Sequence, residues 1–319
     1  MARIMRFNLH CEIRNSKKGF TLTECVVALA VLVLLTLTLF PALAASRTKS
    51  QSVRCVSNLR QIMGALLIYT HDYHDFFPPN PDDGNTVPGH DWCAGIVAGG
   101  FPGVQPSAQT FDPDILANPS YCLIAPYVGT NVSVFRCTAD PRMGLYQGTN
   151  SALMGTIVPA ARTISMNGGV GTICQQFNNG FGQHGGPVTF EVNGPWLDGN
   201  HGNRHNSPWR TYDKISDMVI PVPARLIVVA EENPESINDA ALSTSAAIPK
   251  WVDYPSDLHD GAGVLTFGDG HAELHKWVTG TLHLNSPAGL EALQPTNADW
   301  LWVWQHSTAN YITGQGYGN

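Results

Sequence analysis

Charge is what this sequence has least of. Asp, Glu, Lys and Arg together make up 13% of its 319 residues, roughly half the usual share for a soluble domain. Clustered Lys and Arg are missing beyond the first residues. Positions 1–19 hold Arg3, Arg6, Arg14, Lys17 and Lys18 against Glu12, net +4, which leaves −11 for the rest of a chain whose total is −7. An acidic body cannot neutralise phosphates, so no nucleic-acid partner is expected. Also absent are a Gly-x-Ser-x-Gly elbow, a His-Glu-x-x-His helix and a Cys-x-x-Cys pair, so no common hydrolase or redox signature is present and an enzyme is not expected. There is no internal repeat, and 31 Gly and 22 Pro follow no collagen-like period, which points to long loops rather than a fibre. A hydrophobic content of 43% excludes wholesale disorder.

What is present begins with an uncharged run from Cys25 to Ala45. At the helical rise it reaches ~31 Å, about the thickness of a hydrocarbon core. The basic residues before it predict a cytoplasmic N-terminus and an outer C-terminal body, although Arg47, Lys49 and Arg54 follow the run. A removable signal peptide also starts basic and then apolar, and Ala42 to Ala45 offer a small-x-small cleavage site. The long basic region and Glu24, just inside the apolar run, speak against it. A lipoprotein reading at Cys25 fails because the apolar run follows that cysteine. A carboxylate at position 24 costs a few kcal/mol in lipid unless it finds a partner.

"KKGFTLTE", Lys17 to Glu24, resembles the cleavage and methylation site of type IV prepilins and type II secretion pseudopilins. The resemblance implies cutting after Gly19 by a prepilin peptidase and N-methylation of the new first residue, Phe20. Glu24 becomes the fifth residue, where such pilins carry their Glu, and Pro41 falls where many of them kink the helix. The freed amino group of one subunit could then pair with Glu24 of a neighbour, each charge relieving the other's burial.

After the anchor, Val53, Val56, Leu59, Met63, Leu66, Leu67, Thr70 and Tyr73 recur at steps of three and four, predicting one apolar face of a stem helix. Pro78 and Pro79 stop it. Phe20 to Asp75 therefore reads as one helix of ~84 Å, kinked near Pro41. The expected organisation is a leader at 1–19, a membrane half at 20–45, a stem at 46–76 and an extracytoplasmic domain at 77–319. Within that domain, 77–160 is loop-rich, 161–277 forms a sheet and 278–319 is a Trp-rich C-terminal segment. The fold class expected is α+β, a long helix packed on an antiparallel sheet, as in pilins. "SVFRC" (133–137), "RTISMN" (162–167) and the doubly buried "ARLIVVAEE" (224–232) read as strands.

Gly263 to Trp277 reads as a hairpin around Gly268-Asp269-Gly270, with Ala272 and Leu274 facing the core and His271, Glu273 and His275 on the other face. "HDGAGVLTFGDGH" is similar to the His-x9-Asp-Gly signature (His259, Asp269, Gly270) of prepilin-type processing-associated proteins, whose large ectodomain is of unknown function. "CVSNLRQIMGALLIYTHDYHDFFP", "VFRCTADP", "SMNG", "VVAEE" and "WLWVWQHST" also look like that family, whereas little between Pro81 and Val132 does.

A His259–Asp269 hydrogen bond could orient an imidazole as base or ligand. The blander reading has Asp269 capping turn amides and His259 bonding a loop carbonyl. No cofactor is expected, and the candidates for a metal are few. His271, Glu273 and His275 form a conceivable divalent face, and His201 and His205 are a second pair. Asp82, Asp83 and Asp91 could donate to Ca2+, without EF-hand spacing. Alternating Trp300, Trp302 and Trp304 would share one side of a strand, to be buried or to stack a ligand. Beyond the leader's Cys11 and the membrane's Cys25, Cys55, Cys93, Cys122, Cys137 and Cys174 lie where disulfides persist. Two bonds among five cysteines allow 15 arrangements; Cys55 with Cys137 would tie stem to sheet.

The function expected from the resemblance is an inner-membrane prepilin-like subunit that assembles with other pilin-like subunits through pilus or secretion machinery. The runner-up is a monomeric membrane-tethered module binding glycan or another ligand, and a metal-dependent hydrolase ranks third.

Overall fold

The computed structural model describes residues 19, 21–80, 88–93, 95–174, 188–191, 194, 196–200, 208–280, 282 and 291–314, with the backbone alone at 38–45, 173–174, 188–191 and 291. The chain divides into two compact units, Met1–Arg47 and Thr48–Asn319. Helix α1 covers Leu22–Asp72, 51 residues, ending in a turn in which His74 and Asp75 adopt positive φ. Among the described residues the α-helices α2 (Asp114–Ala117) and α3 (Ala298–Ser307) follow.

In the first unit, α1 exposes apolar side chains all round. Val26, Val27, Leu29, Val31, Leu32, Val33, Leu34, Leu35 and Leu37 are each about half or more accessible. Apolar surface exposed to water on every face is unfavourable and marks a contact surface. Among the described residues no helix is long and apolar enough to cross a membrane; the side chains of 38–45, which complete the uncharged run, lie outside that description.

The second unit is α+β. Its strands are β1 (Met143–Leu145), β2 (Ile157–Pro159), β3 (Ile164–Asn167), β4 (Thr172–Cys174), β5 (Val188–Glu191) and β6 (Ile227–Glu231). They continue with β7 (Ala241–Leu242), β8 (Lys250–Trp251), β9 (Ala262–Phe267), β10 (Ala272–Lys276) and β11 (Glu291–Ala292). The main sheet has the order β10-β9-β6-β3-β7. It is mixed rather than wholly antiparallel, because β3 and β7 run parallel through Met166↔Ala241 and Asn167↔Leu242.

Strand β6 is buried along its whole length because both faces of the sheet are covered. Alternation sends Val264 of β9 to one side and Leu265 and Phe267 to the other. Val264, Val228, Val229, Ile164 and Met166 pack with Leu59, Ile62, Met63 and Leu66 of the stem. Ile227, Ala230, Leu265 and Phe267 pack with Trp300, Val303 and Trp304 of α3. A register shift between Ile227 and Val229 lets the adjacent Val228 and Val229 both join the stem-side core, as a β-bulge does. Each fully buried Leu, Ile or Met contributes roughly 1.5–3 kcal/mol, so the stem is held by several such terms.

The stem face differs from the expected one by about one position. Ser52, Cys55, Leu59, Ile62, Met63, Leu66, Tyr69 and Thr70 are buried, while Val53 and Tyr73 are exposed. The expected strand at 133–137 is instead a 3-10 turn, Val132–Phe135, capped by the Asn131 side chain accepting from Ser133 N–H. Leu274 is 44% exposed because β10 lies at the sheet edge. Trp300, Trp302 and Trp304 sit on α3, not on a strand, since the Asn297 side chain caps a helix by accepting from Trp300 N–H at 2.9 Å.

His306, at the end of α3, is 2% exposed, stacks on Trp302 at 4.1 Å and has Nδ1 2.7 Å from the Trp302 carbonyl. Burial pulls its pKa down from 6.5 to about 4. The unfolded chain therefore takes this proton first as pH falls, so the stability involved is complete above the unfolded value and is lost as pH drops toward the folded one. The full shift is worth on the order of 3 kcal/mol. Thermal unfolding followed from about pH 7.5 down to about pH 4.5 should show Tm falling more steeply in the wild type than in His306→Phe. Identical slopes would contradict this.

Candidate functional site

The N-terminal segment starts a helix by a reciprocal cap. Thr21 N–H donates to Glu24 Oε2 at 2.8 Å, and Glu24 N–H donates to Thr21 Oγ1 at 3.3 Å. This is the capping-box pattern Thr-x-x-Glu, readable in the sequence at Thr21 and Glu24 but not anticipated. Glu24 is fully exposed, as is Gly19. Phe20 lies outside the described residues, and Pro41 falls within α1, described by backbone alone.

In the second unit, four side chains from distant segments meet in the stem-side core. Cys55 comes from the buried face of α1. Cys137 follows the 3-10 turn that ends at Phe135, and its N–H donates to Thr163 Oγ1 at 3.1 Å. Glu231 is the last residue of β6, where its Oε2 accepts from Val264 N–H at 3.0 Å. His259 precedes the turn into β9, which passes through Asp260 and Gly261 at φ 59° and 74° and is closed by His259 N–H donating to Ala262 O at 3.0 Å. At that sharp reversal the imidazole is carried into the core.

The four donor atoms lie within 4.8 Å of one another. Cys55 Sγ and Cys137 Sγ are 3.4 Å apart, and both cysteines are free thiols. Cys137 Sγ is 3.4 Å from His259 Nε2, which is 3.1 Å from Glu231 Oε2. The His259 and Glu231 side chains are wholly inaccessible. Burial pushes the Glu231 carboxyl up to about 7. Burial pulls His259 down, but contacts with Cys55 and Glu231 outweigh it and hold the imidazole at about 10. The Cys137 contact draws the Cys55 thiol down, and the same contact pushes Cys137 up. Chemically, the cluster is a set of soft and borderline ligand atoms shielded from water.

The two signature residues thus serve different places. The His259 ring faces Cys137 and Glu231 rather than a loop carbonyl. Asp269 accepts from His271 N–H at 3.1 Å and lies 2.6 Å from His271 Nδ1. Gly270, at φ 93°, holds a turn conformation that side chains disfavour. The expected metal face does not assemble. His271 stacks on Phe267, and His275 stacks on Trp302 at 3.8 Å, its Nδ1 3.7 Å from Glu273. Among the described residues, ligand atoms of three or more His, Cys, Asp or Glu converge at the buried cluster alone. His201, His205, Asp82 and Asp83 lie outside the described residues. Asp91 is buried, and that burial pushes its carboxyl well up.

Residues 14–40 match the family model described as the prokaryotic N-terminal methylation motif. The match spans 27 of the 319 residues and supports a likeness to prepilins at the N-terminus. It covers the reciprocal cap at Thr21 and Glu24 and the exposed apolar turns that follow. No curated protein and no solved structure matches the chain.

Proposed function

We propose that the chain is a prepilin-like structural subunit. It is cut after Gly19 by a prepilin peptidase, N-methylated at Phe20 and assembled into a type IV pilus-like filament or a type II secretion pseudopilus. The observation that carries this reading is the methylation motif at 14–40 on a helix start whose following turns expose Leu and Val on every side. Lipid before assembly, and neighbouring helices after it, would cover that surface. The basic leader would stay cytoplasmic and the domain after residue 46 would lie outside the inner membrane. In this role the protein is a substrate of processing enzymes, not an enzyme. Pro41 would set a bend in the anchor.

Glu24 has two jobs in this scheme. Before cutting it caps α1 through Thr21; after cutting it pairs with the new amino group of a neighbouring subunit. Gln preserves the N3 capping acceptor but carries no charge, so Glu24→Gln separates the two. Expressed with its assembly machinery, Glu24→Gln should be processed at Gly19 and remain membrane-bound, yet be depleted at least about tenfold from sheared filaments, as Glu24→Ala should be. Normal incorporation of Glu24→Gln would reduce Glu24 to a helix cap. Intact-mass analysis of the wild type should find a chain beginning at methylated Phe20; an uncut leader, or a start at Ala45, would overturn the subunit reading in favour of a simple anchor or a secreted form.

A further inference from the structure

A tetrahedral zinc ion with bonds of about 2.3 Å to sulfur and about 2.0–2.1 Å to nitrogen or oxygen has ligand-to-ligand edges of about 3.3–3.8 Å. Three of the six edges of the buried cluster come close to those values: 3.4 Å between the sulfurs, 3.4 Å from Cys137 Sγ to His259 Nε2 and 3.1–3.3 Å from that nitrogen to the Glu231 carboxylate; all four ligand atoms lie within 4.8 Å of one another. A Cys55–Cys137 disulfide would need the sulfurs at about 2.05 Å, whereas they stand 3.4 Å apart.

We propose that Cys55 Sγ, Cys137 Sγ, His259 Nε2 and a Glu231 carboxylate oxygen bind one zinc-class divalent ion as a closed structural site.

Three further features fit. First, the ligand types are two thiolates, an imidazole and a carboxylate, a combination that selects a borderline-soft ion over Ca2+ or Mg2+. Second, every ligand is buried, Cys55 at 0%, Cys137 at 1% and His259 at 3% exposure. That leaves no open coordination position for a substrate, so the site is structural rather than catalytic. Third, the groups around the cluster suit thiolates and an anion. Ala139 N–H donates to Cys137 Sγ at 3.4 Å, Thr138 Oγ1 lies 3.7 Å from Cys55 Sγ, and Val264 N–H donates to Glu231. Glu231 faces the His259 imidazole, and no lysine or arginine pairs with it among the described residues. His259 turns Nε2 to the other donors. On binding, the aquo ion exchanges its waters for the four ligands, and whatever protons the two cysteines, the imidazole and the carboxyl still hold pass to solvent.

The ion would join the stem, the segment after the 3-10 turn, β6 and the β9 turn at one point. This inference is independent of N-terminal processing and fails or stands separately from it. The full chain, purified in detergent without chelator, should carry about one Zn2+ by elemental analysis and keep Cys55 and Cys137 alkylatable after chelation. Cys55→Ser and Cys137→Ser should each drop the metal to below about a tenth of that, while His275→Ala keeps it. If either serine variant fails to fold, the wild type still decides: chelation should lower Tm, and added Zn2+ but not Ca2+ should restore it. Cobalt loading should give a sulfur-to-metal charge-transfer band. A metal-free wild type whose mass shows Cys55 and Cys137 covalently joined would overturn the proposal, as would metal retained equally by both serine variants.

Discussion

One buried carboxylate, Glu231, sits where the stem, the sheet and the β9 turn of the second unit meet. Glu231 closes β6, the strand at the middle of the five-stranded sheet, and points into the core shared with the stem helix. An ion there costs several kcal/mol unless it is compensated. The compensation comes from groups that only this fold assembles: the His259 imidazole, the Val264 amide and, in the proposed zinc site, a cation gripped with Cys55 and Cys137. The sheet and the β9 turn supply the partners of Glu231, and the stem adds Cys55 to the same cluster. In the proposed zinc site, helix docking and sheet formation would be coupled through the ion.

The two units solve opposite problems. In the first, apolar side chains cover every face of a helix and find no partner within the unit. In the second, the same helix narrows to one apolar face, Cys55, Leu59, Ile62, Met63 and Leu66, and the sheet covers it. A prepilin-like subunit needs both: a surface free to pack with lipid or other subunits, and a stem fixed to its own body so that the two travel as one piece. A metal joint or, failing that, hydrophobic packing alone would have to carry the load between stem and body when the subunit is extracted from a membrane.

Much of this was legible in the residues. The methylation segment could be read because its chemistry is local and contiguous, from Lys17 to Glu24. Strand β6 could be read from an unbroken apolar run, and the β9–β10 hairpin from Gly268-Asp269-Gly270. What misled was alternation without context: Trp300, Trp302 and Trp304 alternate as in a strand, but Asn297 caps a helix, and in that helix Trp300 and Trp304 share the buried side. Likewise His271, Glu273 and His275 alternate on an edge strand, where neighbouring aromatic rings and Asp269 claim them. The donor cluster was hidden because its members lie far apart in sequence. The signals that could have found it are faint: Cys55 continues the three-and-four spacing of Leu59, Ile62 and Leu66, and "VVAEE" places an acid at the end of a strand otherwise made of core residues. The use of His259 away from Asp269 depends on the positive-φ turn at Asp260 and Gly261, which no spacing rule conveys.

The most direct measurement is X-ray absorption at the zinc edge on the purified full-length protein. A shell of two sulfurs at about 2.3 Å and two nitrogen or oxygen atoms at about 2.0–2.1 Å is expected. A shell of oxygen and nitrogen alone, or no bound zinc at all, would contradict the picture of a stem and sheet joined through Cys55, Cys137, Glu231 and His259.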